Sequence, residues 1–309
     1  MTTGVDNPGA SVAASGRFSD DPARTAIRVA QLDEYFTAQV LDGTDMICRD
    51  LTTCPRSATT DRFGRRRPDV AYAAGQLSHV GAHYDLVEDG RPLRILVVAM
   101  ETGRPDENVT MPRRRAQLSA SAAQPMSGRN PHMQGVMNAL RVAVGRAPGG
   151  DRAGELLDMT GRADPVHLFD AYAMTNLRLC SAFRAGSTDS RGTRVMSSNC
   201  LRHFAATVRI LEPTLCIVQG VEVARQVITL LTTAQEITPN LHRGLLAGTR
   251  RCWRRSPIPP HGVISVGAVS PPCPICTTPS SPPLPLPASC VAHGPTPLPP
   301  TRPEPVTAA

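Results

Sequence analysis

Four cysteines occupy positions from which thiolates could bind a metal centre. Two lie in the segment MICRDLTTCPRS, and two flank the start of the next helical pattern; they are Cys48, Cys54, Cys180 and Cys200. Four thiolates from two loops can ligate a 4Fe-4S cluster or a structural zinc ion. Four unrelated buried cysteines are a third alternative, since a free cysteine packs as a small apolar residue. The spacing alone leaves all three alternatives open.

Arginine supplies all the basic charge apart from histidine, because the chain has no lysine among its 33 basic residues. Such a chain cannot form a lysine Schiff base or use a P-loop lysine. The formal charge of +7 and a pI near 9.2 fit a polyanion partner, and arginines cluster at 62–67, 112–117 and 250–255. A GC-rich coding sequence would produce the same bias, so the charge permits nucleic-acid binding without requiring it.

The first residues, MTTGVDNPGASVAASGRFSDD, contain no apolar core and predict neither a signal peptide nor a membrane-spanning helix. We expect a cytoplasmic monomer without a membrane partner. Disulfides are rare in the reducing cytoplasm, so we interpret clusters among the nine cysteines as metal ligands or reactive thiols.

Composition divides the chain into three regions. Residues 1–27 are polar and rich in small side chains, which predicts a disordered leader. Residues 28–248 alternate helical and strand-like patterns, as is typical of one α/β domain. Residues 249–309 hold more than half of the 30 prolines and predict a disordered tail, because such a segment cannot bury a core.

Three continuous apolar runs predict buried parallel strands, and each is followed by a helical pattern. The strands are expected at 94–100, 170–176 and 214–220, and the helices at 131–145, 199–212 and 221–232. Right-handed crossovers would place helices on the sheet faces, which gives a three-layer α/β/α fold around a short parallel sheet. Ligands of such sheets bind outside the carboxyl ends of the strands, so we expect the site there.

The order of motifs resembles that of the iron-sulfur uracil-DNA glycosylases, the thermophile-type branch of the uracil-DNA glycosylase superfamily. After the early cysteine pair come VVAMETG, NPHMQG, TNLRLC, NCLRHF and LEPTLCIVQGVEVAR, in the family's order. The resemblance covers residues 46–230 and is most specific at TNLRLC and the helix and strand that follow. It implies a 4Fe-4S cluster more strongly than zinc, held by the four cysteines and pinning loops of the DNA-binding face.

The resemblance also implies which side chains meet the base, which must be flipped out of the duplex into a pocket. Asn176 matches the asparagine that the family uses for the base edge, and its amide has both a donor and an acceptor, as uracil requires. His132 stands where family members have a stacking phenylalanine, and Gly103 closes the AMETG loop at the substrate. Without the resemblance, Asn176 would simply cap a strand end and His132 would be an exposed helix-start residue.

A carboxylate is expected in the AMETG loop, where it would orient or deprotonate water or stabilise positive charge on the sugar. Met100 falls on the family's glutamate position, and Glu101 lies one residue further on. We assign the role to Glu101, with Asp106 and Glu107 as substitutes; the alternative is a solvated acidic loop without a catalytic role. The choice between Met100 and Glu101 depends on the register of the strand before the loop, because a shift of one residue along a strand turns a side chain to the opposite face of the sheet.

The family's terminal His-Pro-Ser-like loop has no counterpart here. The nearest candidate is His261, which prolines precede instead of follow. We expect residues from about 237 onward to come from a shifted reading frame, which would leave the sheet without its last strand and the site without its anion-stabilising histidine.

These observations predict a monofunctional uracil-DNA glycosylase-like enzyme that excises uracil or a related damaged base from DNA in base excision repair, impaired if the terminal motif is lost. The absence of lysine agrees with hydrolysis by water and disfavours lyase chemistry. The alternative is a non-catalytic iron-sulfur protein that binds nucleic acid, or an inactive truncated remnant.

Overall fold

The computed structural model describes residues 17–101, 108–184, 186, 190–231, 235–238, 240–246 and 249–256, with the backbone alone at 238, 245–246 and 249–256. Gly103, Asp106, Glu107 and His261 lie outside the described residues. The helices α1 to α6 are Pro22–Gln39, Thr53–Thr59, Met111–Ala123, Pro131–Ala143, Arg194–Leu211 and Val221–Ile228. The strands β1 to β16 are Phe18–Asp20, Leu41–Asp42, Asp45–Met46, Val70–Ala73, His79–Val80, Leu86–Glu88, Arg91–Pro92, Ile95–Ala99, Leu156–Leu157, Val166–His167, Tyr172–Asn176, Ser181–Arg184, Leu215–Gln219, Gln235–Thr238, Leu241–Leu246 and Thr249–Ser256.

A mixed sheet of seven strands forms the centre, in the order β14-β15-β16-β13-β8-β11-β5. Four neighbouring strands, β16, β13, β8 and β11, are parallel, as continuous apolar runs predict for strands covered on both faces. The strands β5 and β15 flank them in antiparallel orientation. The four parallel strands therefore end at one edge of the sheet.

Helices cover both faces of this sheet, because alternate residues of each parallel strand point in opposite directions. Leu96 and Val98 of β8 pack with apolar residues of α1, α5 and α6. Ile95 and Val97 pack with apolar residues of α3 and α4. The predicted three-layer α/β fold is confirmed, although the sheet is longer and more mixed than predicted.

The prediction of a disordered leader over 1–27 is wrong from residue 17 onward, where the chain forms β1 and the first turn of α1. Asp21 caps that helix by accepting a hydrogen bond from the N–H of Arg24 at 2.9 Å, and Pro22 occupies its first position. An acidic cap followed by proline is a helix-start signal. The polar composition of the segment hid this signal.

The expectation that the sheet lacks its last strand is wrong. Strands β14, β15 and β16 extend the sheet past residue 237, and β16 lies parallel to β13, with Gln219 paired to Ser256. The predicted tail boundary at 249 is wrong as well, since residues 249–256 form β16; the tail from 257 onward lies outside the described residues. This strand contains no proline, so each of its backbone N–H groups can join the hydrogen-bond ladder.

Candidate functional site

Four cysteines that are far apart in the sequence line one narrow pocket, and all four are buried. Cys48 follows β3, Cys54 lies in the first turn of α2, and Cys180 directly precedes β12. Cys200 lies in the second turn of α5 and does not open it, because Thr193 caps the helix earlier than predicted. The structure therefore brings together the four residues predicted to hold a cofactor.

Burial raises the pKa of three of these thiols, to about 11 for Cys180 and about 12 for Cys200, with an upward shift also for Cys54. The neighbouring cysteines add to the shift, because thiolates packed together repel one another. Side chains with such pKa values are protonated at neutral pH in the protein alone. A bound metal centre would deprotonate them outright.

Nitrogen donors surround the sulfur atoms of the first cysteine pair. Arg202 Nη2 lies 3.2 Å from Cys48 Sγ, and Asn199 Nδ2 lies 3.3 Å from Cys54 Sγ. His203 Nε2 lies 3.6 Å from Cys48 Sγ. Hydrogen bonds from nitrogen to sulfur are among the means by which proteins tune iron-sulfur clusters.

Cys180 and Cys200 receive backbone hydrogen bonds from Gly75 and Leu179, which oppose the effect of burial on their pKa values. The Tyr72 hydroxyl is buried in the wall of the same pocket, beside Cys180, and it also lowers the pKa of that thiol. Donors directed at sulfur from side chains and from the backbone fit a centre whose sulfur atoms accept hydrogen bonds. The residues present therefore fit a 4Fe-4S cluster, which stays a prediction.

Within the described ranges, no three His, Cys, Asp or Glu side chains converge closely enough to hold one metal ion. A zinc site needs its four sulfurs about 2.3 Å from a single ion. The thiolates of a 4Fe-4S cluster each bind a separate iron atom and stand further apart. The two cofactors thus require different spacings of the same four side chains.

A second concavity, a cleft of about 620 Å³, opens at the carboxyl edge of the sheet. Glu101, His132 and Asn176 all line it. Asn176 ends β11, Glu101 follows β8, and His132 lies in the first turn of α4. The structure brings these three predicted site residues together, whereas the fourth, Gly103, lies outside the described residues.

The register of β8 places Glu101, and not Met100, on the side of the cleft. Met100 packs against the core on the opposite face of the sheet. The Glu101 side chain is 5% exposed, and its Oε2 lies 2.8 Å from Nε of Arg178 in a buried ion pair. Burial raises the pKa of Glu101, while Arg178 acts in the opposite direction. A buried carboxylate with a raised pKa in a cleft is a candidate for general acid or base chemistry.

The start of α4 positions His132. Asn130 caps the helix by accepting a 2.9 Å hydrogen bond from the N–H of Met133, and Pro131 takes the first position. Solvent reaches the imidazole from the open side of the cleft, yet the surrounding walls desolvate it and lower its pKa. The ring is therefore mostly neutral near pH 7, which suits stacking on a base.

Gln219 and Arg178 are two residues near this edge that the sequence patterns did not single out. Gln219 ends β13; the residue before it, Val218, pairs with Val98, and the next residue of β8, Ala99, pairs with Asn176. It is 5% exposed, and neither of its amide atoms has a hydrogen-bond partner among the described residues. Its signal in the sequence is weak, since it is one polar residue at the end of an apolar run. Arg178 had no signal except its nearness to Cys180.

None of the helices in the described part of the chain has the length and apolar character needed to cross a bilayer. Compared with known proteins, the chain matches no family model and no curated protein. The function must therefore be inferred from the pocket, the cleft and the sequence motifs that form them.

Proposed function

We propose that this protein is a monofunctional DNA glycosylase that hydrolyses the N-glycosidic bond of uracil, or of a related damaged base, in base excision repair. The observation that carries the proposal is the convergence of Asn176, Glu101 and His132 in one cleft at the carboxyl edge of the parallel strands. Such edges are where open α/β sheets bind ligands. The three side chains supply an amide, a carboxylate and an aromatic ring, which are suited to reading, cleaving and stacking a flipped base.

Asn176 and His132 would recognise the base. The Asn176 amide can donate a hydrogen bond to O4 of a flipped uracil and accept one from its N3–H. Cytosine has the opposite pattern, with an amino donor at C4 and an acceptor at N3. The neutral ring of His132 would lie against the base face and exclude water from it.

Hydrolysis breaks the bond between C1′ of the sugar and N1 of the base and forms a bond between C1′ and the oxygen of water. The electron pair of the broken bond leaves with the base, and positive charge develops on the sugar. Glu101 as a carboxylate would orient the water, accept its proton and stabilise that charge. Water would be the nucleophile, and the absence of lysine, the usual residue for a Schiff base with the sugar, agrees with this.

Cys48, Cys54, Cys180 and Cys200 would hold a 4Fe-4S cluster, whose contribution would be to pin the surrounding loops. Arg178 lies two residues before Cys180 and forms the ion pair with Glu101. The loop anchored at the cysteine pocket therefore also carries the side chain that positions the carboxylate. The macromolecule that the protein binds would be DNA that contains uracil or another damaged base.

A second candidate function is nucleic-acid binding without catalysis. The ion pair between Arg178 and Glu101 favours it, because a neighbouring positive charge makes a carboxylate a weaker base. Under this alternative the cleft would bind an unpaired base and release it unchanged.

Incubation with a uracil-containing oligonucleotide, followed by hot alkali, distinguishes the two functions. We expect cleavage at uracil with the wild-type protein and none when thymine replaces uracil. Glu101→Gln keeps the size of the side chain and removes its charge, so it should slow excision by roughly 10²- to 10⁴-fold. An oligonucleotide that binds the protein but is not cleaved by alkali at uracil would favour the second candidate.

The same assay with Asn176→Asp tests base recognition. The change replaces a donor by an acceptor opposite O4, so it should weaken uracil excision and relatively favour cytosine by about 1–3 kcal/mol. Unchanged discrimination between the two bases would show that Asn176 does not read the base edge.

A further inference from the structure

An exposed aromatic ring surrounded by arginines lies on the turn after α2. Phe63 is 65% exposed, the highest value among the large apolar side chains that the structure describes. Arg62 and Arg65 place their guanidinium carbons 4.7 Å and 5.1 Å from the centre of its ring. Phe63 belongs to none of the core clusters of the described residues, so packing does not explain the residue.

Asp61 holds the turn that presents this ring. Its Oδ1 accepts hydrogen bonds from the backbone N–H of Phe63 at 2.8 Å and from that of Arg65 at 2.9 Å. Its Oδ2 lies 3.3 Å from Nε of Arg65. Gly64 has a φ of 78°, a left-handed conformation that glycine adopts without strain. The ring is thus presented by a turn with a defined conformation.

The turn carries positive charge that the described residues do not neutralise. Arg65 is paired with Asp61. Arg62 and Arg66 are exposed and Arg67 is half-buried, and none of these three forms an ion pair within the described part of the chain. A flat apolar ring and three such arginines therefore lie within six consecutive residues.

We infer that residues 61–67 form a second DNA contact, in which an unpaired base stacks on Phe63 and neighbouring phosphates pair with the arginines. The choice of DNA as the ligand rests on the proposed function. Aromatic rings that stack bases beside arginines that follow the backbone are the usual means of binding single strands without sequence preference. A membrane surface fits less well, because membrane-binding segments present several large apolar side chains on one face and this turn presents one.

Fluorescence anisotropy with the full chain and a labelled thymine oligonucleotide tests the contact without requiring catalysis. We expect Phe63→Ala to weaken binding by roughly 5- to 100-fold, with the slope of log affinity against log salt unchanged. Phe63→Trp should bind like the wild type, because its ring stacks. Phe63→Leu should bind like Phe63→Ala, because leucine keeps apolar area but has no ring.

The arginines should affect a separate quantity, the salt dependence of oligonucleotide binding. Arg62→Gln should reduce the magnitude of the salt slope by about 0.7, the value for one lost phosphate contact on a single strand. The matched control is Arg162→Gln, at an exposed arginine elsewhere on the chain, which should leave both affinity and slope unchanged. Because all these side chains are exposed, circular dichroism and melting temperature should match the wild type.

Equal oligonucleotide affinity of Phe63→Ala and the wild type would overturn the inference. Sedimentation with phosphatidylserine vesicles that depends on Phe63, without such dependence in oligonucleotide binding, would overturn it in favour of a membrane contact. If uracil is not excised while oligonucleotide binding still depends on Phe63, the contact stands and the proposed glycosylase activity fails. If uracil is excised and binding does not depend on Phe63, the activity stands and the contact fails.

Discussion

The Glu101 carboxylate is subject to two opposing influences at the cleft. Burial raises its pKa, and the ion pair with Arg178 acts against that rise. Arg178 contacts Ser197 at 3.4 Å and Ser190 at 3.1 Å as well, so its position does not depend on Glu101 alone. We regard Arg178 as a positioning residue, because it acts on the substrate only through the carboxylate.

Arg178→Gln should shift the pH dependence of uracil excision. Removing the positive charge leaves burial opposed only by the hydrogen bond with Ser190, so the pKa of Glu101 should rise further. The carboxylate is the active form, so activity is present above this pKa and is lost as the pH falls through it. The acid limb of kcat/KM against pH should therefore move to higher pH.

Arg184→Gln is the matched control for this shift, because Arg184 forms an exposed ion pair with Asp69. Its pH profile should coincide with that of the wild type. An acid limb that stays in place in Arg178→Gln would show that a group other than Glu101 governs the profile.

Neither atom of the buried Gln219 amide has a hydrogen-bond partner among the described residues, and a buried amide without a partner would lower the free energy of unfolding. Gln219→Leu removes that unsatisfied group and should increase the free energy of unfolding by about 1–2 kcal/mol, measured by urea denaturation. Gln226→Leu, on α6, where the amide hydrogen bond to Glu222 is exposed, should change stability by less than about 0.5 kcal/mol.

We expect the stabilised Gln219→Leu protein to excise uracil more slowly, since unsatisfied buried groups tend to persist where function needs them. Gln219 ends β13 at the edge of the sheet at which Asn176 ends β11, and this is the edge where the base is proposed to bind. Increased stability with full activity would show that Gln219 takes no part in the reaction.

At the scale of elements, α5 supplies one cysteine of the pocket and the three nitrogen-bearing side chains that contact its sulfur atoms. One stretch of this helix supplies Cys200 as well as Asn199, Arg202 and His203, all of which line the pocket or contact its sulfur atoms. Residues three and four apart on a helix share a face, so a single helix can present a ligand and its supporting donors together. Arg202 also pairs with Asp50, in the loop between the first two cysteines.

Alanine at Cys48, Cys54, Cys180 or Cys200 should abolish cluster binding. The anaerobically purified wild type should be brown and contain iron and acid-labile sulfide, and each variant should lose its visible absorption. Stability should fall as well, because a bound metal centre contributes its binding free energy to folding. Iron, sulfide and zinc analysis together with urea denaturation would measure both effects.

Cys216→Ala is the control for these four changes. Cys216 is buried in the core on β13 and lies outside the pocket. Its alanine variant should keep the colour and the iron content. A colourless wild-type protein that contains zinc would refute the cluster assignment.

For the molecule as a whole, the integrity of the central sheet depends on β16. It pairs with β13 on one side and β15 on the other, so it closes the parallel part of the sheet. Without it, β13 would become an exposed edge strand with unpaired backbone groups.

A chain that ends after Ser256 should unfold at the same denaturant concentration as the full chain. A chain that ends at residue 248 should lose a large part of the roughly 5–15 kcal/mol that is typical of a domain, and it should aggregate through the exposed edge. Limited proteolysis of the full chain should likewise cut after residue 256 and spare β16. Equal stability of the two truncated chains would show that β16 does not contribute to the fold.

The sequence by itself determined the parallel strands that end at the site and the helices that follow them, because these depend on local patterns, but it did not predict α3, which lines the cleft. Continuous apolar runs predicted β8, β11 and β13 to within two residues at either end, since burial on both faces leaves a mark in consecutive residues. The same patterns placed Asn176 at the carboxyl end of a strand. The motifs singled out four cysteines that the fold brings into one pocket.

Only the tertiary structure decided how these parts meet. The choice of Glu101 over Met100 depends on the register of β8 between its neighbours, and the Arg178 ion pair depends on two segments far apart in the chain. The unsatisfied amide of Gln219 and the pairing of β16 with β13 likewise depend on neighbours in space. Contacts of this kind leave no periodic trace in the sequence, because they are set by the packing of the whole sheet.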